Sequence, residues 1–178
     1  ERMIKAIKPD VIHLHNIYHH LSTSLLPSIR RARIACVQPL HDYKLACPNY
    51  KMFTQGSVCE RCNGGKYWEA IKHQCLTTSL SGNVLAALEM GWTKWTKAYE
   101  RTVSYFICPS QFLKNKMREW GIAESQLHYL PHPIDPIEPM VTGGRKYVFG
   151  AGRLSKEKGW DVLIQASCAV PELDVRIA

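Results

Sequence analysis

The sequence predicts an α/β protein built on parallel strands, and three observations carry that expectation. Short, mostly apolar runs recur along the chain, each run empties into a polar loop, and the stretches between them carry helical periodicity. Strands joined through helices pair in parallel, and such a sheet collects ligands at the carboxyl ends of its strands. The composition permits this fold. In 178 residues, 46% are hydrophobic and 21% charged, close to the globular norm, which excludes a disordered or fibrous chain.

Val11 to His15 follow Lys8, Pro9 and Asp10 and read as a buried strand feeding a polar loop from Asn16 to His20. Leu21 to Arg33 read as a helix whose end carries Arg30, Arg31 and Arg33, cations that offset the negative end of the helix dipole. Ala35 to Pro39 form the second strand, which runs into His41, Asp42 and Tyr43. From Lys44 to Gln74 the pattern lapses into a turn-rich stretch with Pro48, Gly56, Gly64 and Gly65. A loop of that length needs some other restraint. A long helix is expected from about Ser79 to Arg101, with Leu80, Val84, Leu88, Trp92, Trp95 and Tyr99 on one face. That stripe reads as core packing. The alternative is an interfacial helix on an anionic membrane, with Lys94, Lys97 and Arg101 beside the aromatics.

Tyr105 to Cys108 make another strand, Ser110 caps a helix from Gln111 to Trp120 that stops at Gly121, and Gln126 to Leu130 form a further strand. Pro131, Pro133, Pro136 and Pro139, with Gly143 and Gly144, then break every period and mark a domain boundary. The expected organisation is a first domain over residues 1–134 with a Cys-rich insertion at about 44–76, a linker at 135–145, and the start of a second domain at 146–178. In that second part the strand, helix, strand rhythm restarts with Tyr147 to Phe149, Trp160 to Ala169 and Leu173 to Ile177.

Charge and thiols narrow the partners. Lys and Arg number 23 against 15 Asp and Glu, leaving +8, which favours anionic partners such as nucleotide phosphates, nucleic acid or a membrane surface. Seven cysteines cannot all pair internally, and their density is below that of a disulfide scaffold, so reduced thiols are expected. No run reaches the roughly 20 apolar residues of a membrane span, and the opening carries no signal peptide. A cytoplasmic location follows as the expectation, with peripheral contact at the inner membrane face alongside it. Because the chain opens on Glu1 and stops inside an apparent strand, it reads as a piece of a longer protein.

Gly150 to Gly159 place a glycine loop between a strand and a helix. Small residues let backbone amides approach phosphate oxygens, and the following helix start adds partial positive charge. Arg153 can fork onto two phosphate oxygens and Lys158 adds a point charge. The loop is neither a dinucleotide fingerprint nor a Walker motif, since Ser155 stands where a third glycine or alanine is required. A tight surface turn with solvated charges is the plainer reading.

The stretch from Gly152 to Gly159, preceded by Leu130 to Asp135, resembles the start of the nucleotide-sugar domain of glycosyltransferase family 4. Asp10 to His15, His41 to Pro48, and Cys108 to Ser110 are similar to acceptor-domain motifs of the same family, so the resemblance spans nearly the whole chain. It implies a GT-B fold of two Rossmann-like halves and retaining transfer from a UDP- or GDP-sugar to a glycan or lipid-linked acceptor, without a catalytic metal. By that resemblance Arg153, Lys158 and Gly152 bind the donor diphosphate, where fixed cations stabilise charge that develops on the leaving group. His41 matches a family histidine facing the cleft and is the catalytic candidate, while His15 and Asn16, closing a parallel strand, are expected to face the same cleft. His132 and Pro133 replace the commoner Asn-Gly of the linker, which stiffens a hinge. The family's amino-terminal glycine loop and carboxy-terminal glutamate pair are absent, so these residues alone are not expected to catalyse transfer.

Cys47, Cys59, Cys62 and Cys75 form the other constellation. Four thiolates with one Cys-x2-Cys knuckle can close a tetrahedral structural zinc site and restrain the long loop. Unliganded thiols or one disulfide are the alternative. Cys36, Cys108 and Cys168 read as small buried residues. His13 and His15 share a strand face with ordinary hydrogen bonds as the default reading. Two competing functions stand beside the transferase: a basic, zinc-bearing nucleic-acid module, disfavoured by the few aromatic and basic residues near the cysteines, and a sugar-nucleotide binder that never turns over its ligand.

Overall fold

A computed structural model describes residues 1–135, 147–155 and 158–178, the side chains of His19 and His20 excepted. All of the expected linker beyond Asp135, and Lys156 and Glu157 of the glycine loop, therefore lie outside the described residues. The chain divides into two compact units, Glu1–Pro133 and Ile134–Ala178.

Unit 1 begins with helix α1 (Arg2–Ile7) and strand β1 (Val11–His13). The expected polar loop after β1 instead closes into a single helical turn, α2 (Ile17–His20), because Ile17 turns inward and is 3% exposed. The next helix starts later than periodicity suggests. Ser22 Oγ accepts from the Ser24 N–H at 3.2 Å and caps a short turn over Thr23–Leu25, and α3 (Leu26–Ala32) follows, with Leu26 and Ile29 buried. Strand β2 (Ala35–Pro39) comes next.

The turn-rich stretch holds a two-residue hairpin, β3 (Phe53–Thr54) with β4 (Ser57–Val58), and a short helix α4 (Trp68–Lys72) that packs on α5 (Leu80–Thr96). Strand β5 (Tyr105–Cys108), helix α6 (Gln111–Glu119) and strand β6 (Leu127–Tyr129) complete the unit. Ser110 Oγ accepts from the Leu113 N–H at 3.1 Å, satisfying an orphan donor of α6, and Gly121 at φ 89° ends that segment in a left-handed turn that glycine tolerates.

The four strands form one parallel sheet in the order β1-β2-β5-β6. Val37 pairs with His13, the last residue of β1, on one side and with Tyr105, the first of β5, on the other, so β1 ends two residues before β2, whereas β5 and β6 end level at Cys108 and Tyr129. Backbone bonds from Leu14 to Val37, Leu40 to Ile107 and Leu130 to Cys108, at 2.9–3.0 Å, extend each pairing by one residue at the carboxyl edge. The loops that leave β1, β2 and β6 therefore start from one rim. Cys36, Phe106 and Cys108 from the sheet, Leu26 and Ile29 from α3, and Leu113 and Met117 from α6 share one core. Each large side chain buried there stabilises by about 1.5–3 kcal/mol.

Helix α5 overturns the expected packing. Leu80, Leu88, Trp92 and Trp95 of the apolar stripe face outward, with Trp92 61% and Trp95 77% exposed, while Asn83, Ala86, Ala87, Met90 and Thr93 are the buried face. Small residues let the helix approach its neighbours closely, and Asn83 is fully satisfied: Nδ2 donates to the Thr77 and Ser79 carbonyls at 2.6 and 2.7 Å, and Oδ1 accepts from the Leu76 N–H at 3.0 Å. Tyr99 is buried as expected, although it lies past the end of α5. Cys36 and Cys108 are buried, whereas Cys168 is exposed, against the expectation for that residue.

Unit 2 contains β7 (Tyr147–Gly150), α7 (Trp160–Cys168) and β8 (Asp174–Ile177), with β7 and β8 parallel and Tyr147 opposite Asp174. Arg176 lies over the Tyr147 ring at 4.4 Å and pairs with Asp174 at 2.7 Å. None of its described residues is buried.

Candidate functional site

The carboxyl rim of the sheet gathers imidazoles. His15 leaves β1, His41 leaves β2 and His132 follows β6, so three separate loops deliver a ring each. His15 Nδ1 lies 2.9 Å from His41 Nε2, with ring centroids 5.2 Å apart. His132 also stacks on His41, at 6.0 Å with planes 10° apart, and His13 stands 4.3 Å from His15. A hydrogen bond between two imidazole nitrogens needs one N–H and one lone pair, so the His15 and His41 pair cannot both be protonated at those atoms. Partial removal from water, together with His15, His132 and His13, holds His41 below the ordinary imidazole value of 6.5, with Asp42 opposing. A neutral ring at an exposed rim can donate or accept a hydrogen bond to a hydroxyl without a charge.

Beneath the rings sits a second polar layer. The Tyr18 hydroxyl donates to Asp42 Oδ2, and Asn16 Oδ1 lies 3.3 Å from the same hydroxyl. Burial first, and the Asp42 carboxylate second, push the Tyr18 hydroxyl well above its ordinary range, so it remains a donor. Asp42 Oδ1 also accepts from the Lys44 N–H at 3.0 Å, and Lys44 Nζ pairs with Glu89 Oε2 at 2.8 Å while lying over the Tyr18 ring. Lys44 is thus occupied and supplies no free cation. Gln38 Oε1 is buried without a partner among the described residues, in a cavity of about 10 Å3 lined also by Asn16, Tyr18, His41 and Asp42. That volume suits about one water or one ligand hydroxyl.

In unit 2 the glycine loop joins β7 to α7. A Cβ on Gly150 would meet Trp160 Cζ3 at 2.8 Å, and one on Gly152, at φ 154°, would meet Trp160 Cζ2 at 3.4 Å, so glycine is required for the indole to cover the loop. Trp160 Nε1 donates to the Arg153 carbonyl at 2.7 Å and the Lys158 N–H to the Ser155 carbonyl at 2.9 Å, which fixes the backbone on both sides of the loop. Gly159, at φ 70°, starts α7. The Arg153 and Lys158 side chains enter no ion pair among the described residues. Ser155 Oγ is buried without a partner among the described residues and lines a hollow of about 330 Å3 with Leu154, Trp160 and Asp161, which neither Arg153 nor Lys158 lines.

Of the residues singled out in the sequence, His15, Asn16 and His41 lie together on the rim of unit 1, and Gly152, Arg153 and Lys158 lie on the loop of unit 2. Sequence reasoning missed the Tyr18 and Asp42 pair and the stacking of His132, whose place in a proline-rich segment pointed only to a stiff hinge. The available signal was the place of Asp42 and His132 in the loops that follow strands, whereas Tyr18, inside α2, carried none.

A four-stranded parallel sheet, helices between its strands and a polar rim at the carboxyl edge define a Rossmann-like protein. The family model described as Glycosyltransferase Family 4 matches residues 1–138, and the chain belongs to that family. No curated protein matches it. Membership makes sugar donor and acceptor substrates the general expectation for a chain of this kind. Among the described residues no helix is long and apolar enough to cross a membrane.

Proposed function

We propose that this chain is part of a retaining GT-B glycosyltransferase that takes a sugar from a UDP- or GDP-sugar and passes it to a glycan or lipid-linked acceptor. The observation that carries the reading is the imidazole rim: family membership sets the class of chemistry, and the rim offers hydrogen-bonding rings at the edge where parallel sheets take ligands. His41 meets a sugar or acceptor hydroxyl, His15 orients it, and Asn16 with Tyr18 and Asp42 braces the floor. The donor diphosphate rests on the glycine loop at Gly152, with Arg153 and Lys158 opposing the charge that grows as the phosphate leaves. Catalysis then needs no metal, because fixed cations supply the stabilisation.

Nucleotide affinity tests the donor half. Arg153→Ala and Lys158→Ala are each expected to weaken UDP or GDP binding by about 1.5–3 kcal/mol, the range for hydrogen bonds to charged groups, read by calorimetric titration. Unchanged affinity in both variants would remove the assignment, and binding without sugar transfer in the intact protein would point to a sensor instead.

Contact with an anionic membrane surface belongs to the same reading, since a lipid-linked acceptor is presented there. Outward-facing Trp92 and Trp95 adjoin a groove of about 800 Å3 lined by Arg30, Arg31, Arg101 and Trp92, which pairs apolar anchors with cations. Vesicle sedimentation is the check. Binding should require anionic phospholipid, and Trp92→Ala with Trp95→Ala should lower it by tenfold or more, on the order of the loss expected for two interfacial anchors. Equal binding to zwitterionic vesicles, or none to anionic ones, would rule the contact out.

A further inference from the structure

We propose that Cys47, Cys59, Cys62 and Cys75 hold one structural zinc ion through four thiolates, locking the loop that leaves His41. The geometry starts at Asn49. Cys47 Sγ donates to Asn49 Oδ1 at 3.2 Å, and the same side chain's Nδ2 donates to the Phe53 carbonyl at 3.1 Å and the Cys75 carbonyl at 3.2 Å. One buried amide therefore ties the first cysteine to the last. The Cys59 N–H donates to the Met52 carbonyl at 2.8 Å and the Cys75 N–H to the Ala70 carbonyl at 3.2 Å, which draws the remaining turns together. Cys47 and Cys62 are buried, and Cys59 and Cys75 partly so.

Cys62 stands near enough to Cys47, Cys59 and Cys75 to feel each of them electrostatically, and Cys47 likewise feels Cys75, so residues 28 positions apart share one neighbourhood. Hydrogen-bond donors face the sulfurs: the backbone amides of Asn49 and Met52 at Cys47, that of Ala70 at Cys62, the Thr54 hydroxyl at Cys75, and the Arg61 guanidinium 3.9 Å from Cys59 Sγ. Donors aimed at partly buried sulfurs are the outer layer that a thiolate-bound divalent cation uses. Among the described residues no three His, Cys, Asp or Glu side chains stand close enough to hold a metal as placed, so loading has to draw the sulfurs inward. The segment also keeps Tyr50, Met52, Gln55 and Gln74 at φ of 45–55°, a left-handed conformation that non-glycine residues keep only under restraint.

The chemistry balances without a co-reactant. Each thiol that binds releases its proton to solvent, four sulfur–zinc bonds form, nothing is oxidised, and the doubly negative centre that results is offset in part by Arg61. Closed ligation by four thiolates leaves no position for substrate, so the ion is structural.

The experiment is metal analysis of the intact chain purified under reducing, chelator-free conditions, followed by replacement with cobalt. About one equivalent of zinc is expected, and cobalt should give the sulfur-to-metal charge-transfer and tetrahedral d–d bands of a tetrathiolate site. Cys62→Ser and Cys75→Ser should lose the metal, and Cys168→Ser should keep it. Less than about a tenth of an equivalent of zinc, cobalt spectra without thiolate bands, metal retained in both ligand variants, or a disulfide among the four in the intact mass would each overturn the site. The wild-type stoichiometry and the cobalt spectrum decide the matter even where a serine variant fails to fold.

Discussion

Both units pair parallel strands, but only unit 1 covers them. In unit 1, Cys36, Phe106 and Cys108 disappear beneath α3, α6 and their neighbours. In unit 2, Phe149 is 61% exposed, and Leu154, Val162 and Ile164 also face outward. Parallel sheets are ordinarily buried on both faces, because the crossover helices lie there. Among the described residues of unit 2, two strands and one helix offer too little surface to exclude water. The difference teaches that β pairing, fully hydrogen bonded in both units, does not by itself make a core. The number of elements that can close over the strands does.

The sharpest way to break this contrast is to remove one phenyl ring from each unit. Phe106→Ala should destabilise unit 1 by about 3–5 kcal/mol, the cost of a cavity among fully buried neighbours. Phe149→Ala should change stability within about 0.5 kcal/mol, as an exposed substitution does. Denaturant unfolding monitored by amide exchange at β5 and β7 separates the two, since β7 amides should exchange through local opening and β5 amides only with global unfolding. If the two substitutions cost the same, the exposed face of β7 is covered in solution and the contrast is wrong.

The same contrast explains what could be read from the sequence. Val11, Ala35, Tyr105 and Leu127 begin strands within a residue or so of where short apolar runs begin, because β-branched and aromatic runs mark strands even where, as in β1 and β6, most of the residues stay exposed. The capping serine at 110 and the stop at Gly121 were legible for the same local reason. Helix α5 was not. Its buried face is small and polar, and its outward face carries Leu88, Trp92 and Trp95, so hydrophobic periodicity pointed to the wrong side. Burial there follows from close approach and from the three hydrogen bonds of Asn83, neither of which leaves a periodic trace. The rim was half legible: strand ends marked His15 and His41, but no local signal brings His132, from a segment 91 positions later than His41, against that ring.

The smallest effect lies on the rim itself, and it sharpens the comparison by asking whether a surface of unit 1 is as preorganised as its interior. His41 is held below 6.5 in the folded chain by partial desolvation and by His15, His132 and His13, with Asp42 opposing. Its folded value therefore lies under its unfolded one. As pH falls from 6.5 toward that lower value, the unfolded chain takes up a proton that the folded chain refuses, so stability declines across that window and is unaffected above it. His41→Asn removes the difference, and the gap between wild type and variant should narrow on acidification, by less than about 1 kcal/mol because the ring remains exposed. Urea midpoints on either side of pH 6.5 measure it. A gap that stays constant with pH would mean that the three neighbouring rings do not press on His41 in solution, and that the rim is arranged by substrate rather than by the fold.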